Sequence, residues 1–181
     1  MDTLSKTEEQ TAENEEKTAE NGEQAAENEW LTDGAEETRV LFVCTGNTCR
    51  SPMAAALVNE LGRELNLTAE SAGIYPNVGE PISENAVQAL HDAGIEPAPD
   101  NRYDLHTAVQ VDEEILKRCT RVVAMSERHL MALIGAFPQY IGKMAVMPHP
   151  ISDPYGGDLE VYRACLEEIK AGVVELFHLD D

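Results

Sequence analysis

Val40-Leu41-Phe42-Val43-Cys44-Thr45-Gly46-Asn47-Thr48-Cys49-Arg50-Ser51-Pro52-Met53 carries an apolar stretch into a cysteine, then through a small polar loop to an Arg-Ser-Pro step. The spacing predicts a strand over 40–43, a loop over 45–50 and a helix opened by Pro52, whose missing N–H costs nothing in a first turn. Such a loop can curl its backbone N–H groups around a tetrahedral oxyanion. The helix N-terminus adds positive potential aimed at the same point. Cys44 would then be a nucleophile on the floor of an anion site, with each of these terms favouring its thiolate. Arg50 brings a planar fork that can hold two phosphate oxygens, which Lys cannot copy. The candidate phosphate-binding residues are Thr45, Gly46, Asn47, Thr48, Cys49, Arg50 and Ser51. Gly46 permits close approach of backbone to ligand. Asn47 tolerates a left-handed backbone and can pin the loop through its side chain. Ser51 can donate its hydroxyl to the Cys44 sulfur, making it a better leaving group, and can also cap the helix.

Cys-x5-Arg alone is a weak pattern, because a cysteine closing a strand is more commonly a small buried hydrophobe. Its surroundings raise its weight. Leu67–Ser71, Arg121–Met125 and Lys143–Met147 are expected as further strands. Helices are expected from Pro52 to about Leu65, from a Ser83 cap to about Ala93 with Gly94 as its stop, from Asp112 through Cys119, and from Ser126 through Ile134. Leu159, Tyr162, Leu166, Ile169, Val173 and Leu176 recur at three- and four-residue steps and predict a long closing helix. The alternation predicts an α/β fold of three layers: a four-stranded parallel sheet, helices on both faces, and the phosphate-binding loop after strand one. Sites in such sheets form beyond the carboxyl ends of the strands. Cys44 lies on that edge, and so does Asp153-Pro154-Tyr155-Gly156-Gly157 after strand four. An Asp-Pro pair by itself is a turn start. Beside a thiolate and an arginine, Asp153 becomes the candidate that protonates the leaving atom and then takes a proton from water.

Residues 40–53 resemble the phosphate-binding loop of the low-molecular-weight protein tyrosine phosphatase family, and 153–157 resemble that family's general-acid loop. The resemblance covers about residues 39–178. It implies a metal-independent, cofactor-free hydrolase acting on phosphorylated proteins through a thiophosphate on Cys44, with Arg50 and Asp153 completing the catalytic set. It also implies that Cys49 can form a reversible disulfide with Cys44 and protect it from over-oxidation; a small loop filler is the other reading of Cys49.

The family's tyrosine-directed members typically carry a bulky aliphatic residue where this chain has Thr48, and two adjacent aromatics after Asp-Pro where this chain has Tyr155 and then Gly156-Gly157. Both departures resemble the protein-arginine phosphatase branch, although Tyr155 stands in place of that branch's usual Phe and keeps tyrosine activity open. Thr48 agrees physically: its hydroxyl can meet a guanidinium, whereas an aliphatic side chain would leave guanidinium N–H groups unpaired. Thr48 and Tyr155 are the candidate specificity residues, phosphoarginine the expected substrate, and phosphotyrosine the alternative. A thiol-dependent arsenate reductase resembles this loop and fold too, but it needs two further cysteines near each other to pass a disulfide onward. Cys119 and Cys165 are far apart in sequence and fall on apolar faces, as core residues do. A non-catalytic phosphoprotein-binding module fits less well still, with Cys44, Arg50 and Asp153 all intact.

Composition bounds the rest. The 181 residues are 43% hydrophobic, enough for one packed domain. A formal net charge of −21 argues against nucleic acid as a partner. No stretch is apolar enough to span a membrane, and the acidic N-terminus is no secretory signal. Four cysteines, two within one loop, do not read as a secreted disulfide framework. A reactive thiolate needs a reducing compartment, so the protein is expected in the cytoplasm, as a monomer. His91, His106, His129, His149 and His178 show no metal-ligand spacing, and no metal is expected. Met125, Met131, Met144 and Met147 are assigned to the core. Residues 1–38 stand apart, with an imperfect seven-residue repeat at Thr11–Lys17, Thr18–Gln24 and Ala25–Trp30. The repeating small residue is Ala and no Leu or Ile seam exists, which rules out a coiled coil. Dense like charge predicts a disordered acidic tail over 1–38, holding about half of the net charge, ahead of a phosphatase domain over 39–181.

Overall fold

The computed structural model describes residues 37–179; the repeats, Trp30 and nearly all of the expected tail lie outside the described residues. The elements are β1 (Thr38–Cys44), α1 (Arg50–Leu61), β2 (Leu67–Gly73), α2 (Glu84–Asp92), α3 (Glu113–Arg118), β3 (Arg121–Ala124), α4 (Glu127–Ala136), β4 (Met144–Val146) and α5 (Leu159–Phe177). The four strands form one sheet in the order β2-β1-β3-β4 with every pair parallel. This is the α/β architecture that the alternation of elements predicts, and its chain path places the functional edge. From β1 the chain steps to β2 on one side, then crosses to β3 on the other. The carboxyl end of β1 therefore lies at the reversal of strand order, where open α/β sheets leave a crevice for ligand.

The side-chain period of two distributes β1 between two cores. Phe42 packs edge-on against Phe177 of α5, with ring centroids 6.4 Å apart at 80°. Leu41 and Val43 point the other way, into a cluster with Leu116 and Cys119 at the end of α3, Val122 and Ala124 of β3, and Leu133 of α4. Both faces of the strand are thus covered, and Val40 through Val43 are fully buried. Truncating Phe42 to Ala would remove a buried ring worth about 3–5 kcal/mol. α1 has no polar stripe in its first half: Pro52 through Val58 are all buried, with β2 and β1 against one side and α5 and α2 against others.

Several boundaries and positions differ from expectation. β1 is longer than 40–43, since Thr38 pairs with Leu67 and Cys44 with Gly73. The first helix starts at Arg50, so Pro52 is its third residue and Ser51 lies inside the first turn rather than capping it. It also stops at Leu61, where the Gly62 N–H caps the Val58 carbonyl and a short 3₁₀ turn over Arg63–Leu65 follows. Ser83 precedes α2 but makes no side-chain cap, whereas Asp112 and Ser126 accept from Ile115 N and His129 N as expected. Phe177, not Leu176, is the buried end of the α5 stripe, four residues on from Val173. Met131 is 66% exposed and is not a core residue. No helix among the described residues is long and apolar enough to cross a membrane.

Candidate active site

The loop from Cys44 to Arg50 holds its shape through a buried polar network centred on Asn47. Asn47 has φ 57°, the left-handed region that Asn tolerates better than most side chains. Its Nδ2 donates to Ser51 Oγ at 3.0 Å and to Ser71 Oγ at 2.9 Å, and its Oδ1 accepts from Val109 N at 2.9 Å. Its carbonyl oxygen meets His106 Nε2 at 2.9 Å. A carbonyl can only accept, so Nε2 carries the proton, and burial holds the His106 pKa below the usual histidine value. One fully buried side chain thereby ties the loop to α1, β2 and the segment before α3. Gly73 at the end of β2 completes the brace: a Cβ there would lie 2.7 Å from the Thr45 carbonyl oxygen. Ile74 N and Tyr75 N donate to the Cys44 and Thr45 carbonyls at 2.9 and 3.0 Å, locking the following loop to the first.

Within this frame the Cys44 sulfur sits 2.9 Å from Ser51 Oγ and accepts from Asn47 N at 3.2 Å. Ser51 Oγ already takes the Asn47 amide, and its own proton can face the sulfur or, at 3.5 Å, the Ala72 carbonyl. Arg50 is 7% exposed, and its Nη2 donates to Asp153 Oδ2 at 2.8 Å. Asp153 arrives from the loop after β4, 103 residues away in sequence, and its Oδ1 accepts from Tyr155 N at 3.3 Å. Pro154, Tyr155 and the two glycines form a tight turn. Gly156 has φ +77°, and a Cβ on Gly157 would lie 2.9 Å from Val161 in the first turn of α5. This glycine pair is therefore required by the backbone of the turn itself.

These residues line a cavity of about 390 Å³ with Cys44 to Arg50 along its floor. Its remaining walls are Asp153 and Tyr155 from one loop, and Tyr75, Pro76, Asn77 and Glu80 from another. The sequence reading missed this second wall. Tyr75 is 79% and Tyr155 77% exposed, so two aromatics stand at the mouth although only one follows Asp-Pro. The loop's place directly after Gly73, at the carboxyl end of β2, was the available signal. Gly46 has open space beside it, with Thr48 Oγ1 3.8 Å from a hypothetical Cβ, so the protein itself does not demand a glycine there. Thr48 is 8% exposed and lines the cavity, its hydroxyl 3.6 Å from the Cys49 sulfur.

His129 was also missed. It is buried at the start of α4, with Nδ1 2.7 Å from Ser126 Oγ and Nε2 2.8 Å from Thr45 Oγ1. Burial, reinforced by the Arg50 charge, pushes its pKa down to about 4, so it spans the two hydroxyls as a neutral ring. The Cys49 sulfur contacts Tyr162 OH of α5 at 3.2 Å; burial raises the thiol pKa and takes Tyr162 to about 12. Burial also pushes Cys119 and Cys165 to about 12. The first belongs to the α3–α4 core and the second to α5 on the opposite face of the sheet, so they form no pair to relay a disulfide.

A parallel α/β sheet with a cysteine and arginine in an anion-shaped loop, and an aspartate brought to that arginine, defines a cysteine-based phosphatase. The family model described as low molecular weight phosphotyrosine protein phosphatase matches residues 39–179. The chain belongs to that family. A protein-arginine-phosphatase from Geobacillus stearothermophilus is 37% identical over 140 residues, spanning 73% of this chain and 88% of the relative. A low molecular weight protein-tyrosine-phosphatase from Streptomyces coelicolor is 32% identical over 152 residues, spanning 74% and 87%. Among solved structures, the YwlE arginine phosphatase from Geobacillus stearothermophilus superposes with a TM-score of 0.69 at 35% identity, over 78% of this chain and 91% of that one. The low molecular weight protein tyrosine phosphatase from T. tengcongensis gives 0.70 at 37% identity, over 78% and 98%. The enzyme is thus a hydrolase of phosphoproteins, with relatives on both the arginine and the tyrosine side.

Proposed function

We propose that this enzyme is a protein-arginine phosphatase. The observation that carries the reading is Thr48: a hydroxyl, rather than an aliphatic wall, borders the cavity beside Arg50. A guanidinium brings several N–H donors to the phosphorylated end of the side chain, and a site that pairs them discriminates strongly against one that leaves them unpaired. The relatives named as arginine phosphatases support the same choice. The glycines after Tyr155 carry less of it than the sequence suggests, because the turn needs them whatever the substrate. Tyr75 and Tyr155 favour neither side, since aromatic faces stack on a phenyl ring and on a guanidinium alike.

In the reaction we infer, the phosphate enters the loop and takes Arg50 over from Asp153. The Cys44 thiolate attacks phosphorus, the P–N bond breaks, and protonated Asp153 delivers its proton to the departing guanidino nitrogen. The loop amides and Arg50 hold the charge of the transferring group. Water then attacks phosphorus while Asp153 takes its proton, the S–P bond breaks, and orthophosphate leaves as the thiolate re-forms with Ser51 stabilising the sulfur. Four cysteines held as free thiols fit a reducing cytoplasm.

The test is kcat/KM on peptides of one sequence bearing phosphoarginine or phosphotyrosine, with Cys44→Ser as blank. A preference of tenfold or more for phosphoarginine is expected. The reverse preference rejects the assignment and makes the enzyme a tyrosine phosphatase.

A further inference from the structure

Glu80 stands on the wall of the catalytic cavity, in the loop that sequence reading passed over. Its backbone is fixed at both ends: its N–H donates to the Asn77 carbonyl at 2.9 Å, and its carbonyl accepts from Ala108 N at 2.7 Å. Pro81 follows and restricts the chain further. Its side chain is exposed, and no ion pair or side-chain hydrogen bond joins it to another of the described residues. Glu80 also borders the adjoining cavity of about 410 Å³, together with Thr48 and Tyr155, so it stands at the junction of the two beside both candidate specificity residues.

The charges in the cavity are unequal in purpose. Arg50 and Asp153 compensate each other. Glu80 is left over, a negative charge at the entrance of a site built for a dianion. For a phosphate ester on a neutral ring, that charge only repels. It becomes favourable when the group joined to the phosphate is itself a cation, and the N-phosphorylated guanidinium is such a group. A carboxylate also matches the fork of a guanidinium, which a phenyl ring cannot use.

We propose that Glu80 is a specificity-determining residue, whose carboxylate pairs with the guanidinium of the phosphorylated side chain while Arg50 and the loop hold the phosphate. The proposal rests on the phosphoarginine reading and adds to it a second, purely electrostatic selector beside Thr48. It places the selection against phosphotyrosine partly in repulsion, which is how a shared phosphate site can reject the wrong ester.

The experiment compares the full chain with Glu80→Gln and Glu80→Lys on the matched phosphoarginine and phosphotyrosine peptides, at low and high salt. Glu80→Gln is expected to lower kcat/KM for phosphoarginine about 3- to 5-fold, mainly through KM, as befits an exposed pair. It should raise kcat/KM for phosphotyrosine, so that the ratio of the two falls about tenfold. Glu80→Lys should move both further in the same directions, and the differences should shrink as salt screens the rim. If the parent enzyme prefers phosphoarginine but neither variant moves the ratio, the role of Glu80 is rejected while the phosphoarginine reading stands. If the parent enzyme prefers phosphotyrosine, both fall together.

Discussion

Asp153→Asn separates the observed contact of this carboxylate from the role proposed for it. In the structure it holds Arg50 at 2.8 Å; in the proposed reaction it releases Arg50 to the phosphate and serves the leaving atom instead. Loss of a general acid lowers turnover by about 10²–10⁴-fold. The loss should follow the leaving group: large for a basic guanidino nitrogen or a tyrosine oxygen, small for p-nitrophenolate, which departs without a proton. Binding should move the other way. Asp153 competes with phosphate for Arg50, and the pair is lopsided, with side chains 9% and 56% exposed. Solvent on the aspartate side keeps such a pair within about 0–1 kcal/mol, so removing the competitor should tighten inhibition by orthophosphate up to about fivefold. The assay is kcat on a phosphopeptide and on p-nitrophenyl phosphate for both proteins, with orthophosphate Ki alongside. Equal loss on the two substrates would refute the acid role, and leave Asp153 as a group that only orders Arg50.

Thr48→Ile replaces a hydroxyl at the cavity with an aliphatic branch; the kcat/KM ratio of phosphoarginine to phosphotyrosine should fall at least about tenfold, from an unpaired guanidinium N–H, and an unmoved ratio removes Thr48 as selector. Gly73→Ala drives a Cβ to 2.7 Å from the Thr45 carbonyl and 3.1 Å from the Asn47 side chain; a stability loss of about 1–3 kcal/mol in urea titration is expected, with activity falling further because the loop must shift. His129 binds its proton less tightly folded than unfolded, so stability is full above the unfolded value of about 6.5 and declines as pH falls toward about 4. His129→Gln should flatten that part of the pH profile by up to about 3 kcal/mol, and identical slopes for the two proteins would reject the burial argument. Cys49→Ser should recover less activity on thiol treatment after peroxide, if a Cys44–Cys49 disulfide shields the nucleophile; equal recovery rejects that role, and the Cys49 contact to Tyr162 then stands as packing.

The continuous apolar run at Val40–Val43 and the alternation of strand and helix patterns determine a doubly covered parallel sheet, because burial on both faces is what accommodates four consecutive apolar side chains in a strand. The loop from Cys44 to Arg50 was legible for the same local reason: its residue types are dictated by backbone that must turn tightly and face an anion. Residues that act across the chain were not legible. Gly73, Tyr75 and Glu80 reach the cavity because parallel pairing sets the end of β2 beside the end of β1; their place after a strand is the only local sign of it, and their residue types carry none. His129 looked like any helix-start histidine until α4 carried it against Thr45. Of the two roles the sequence offered Ser51, the hydroxyl facing Cys44 is the one the structure shows, and the cap is not, since the helix begins at Arg50, two residues before Pro52. The sequence by itself determined the layers, the anion-shaped loop and the cysteine and arginine within it, because those follow from local periodicity and from contacts within a few residues. Only the tertiary structure decided the ion pair of Arg50 with Asp153, the second aromatic at the mouth and the place of Glu80 on the cavity wall, because each depends on loops brought to one sheet edge by strand order.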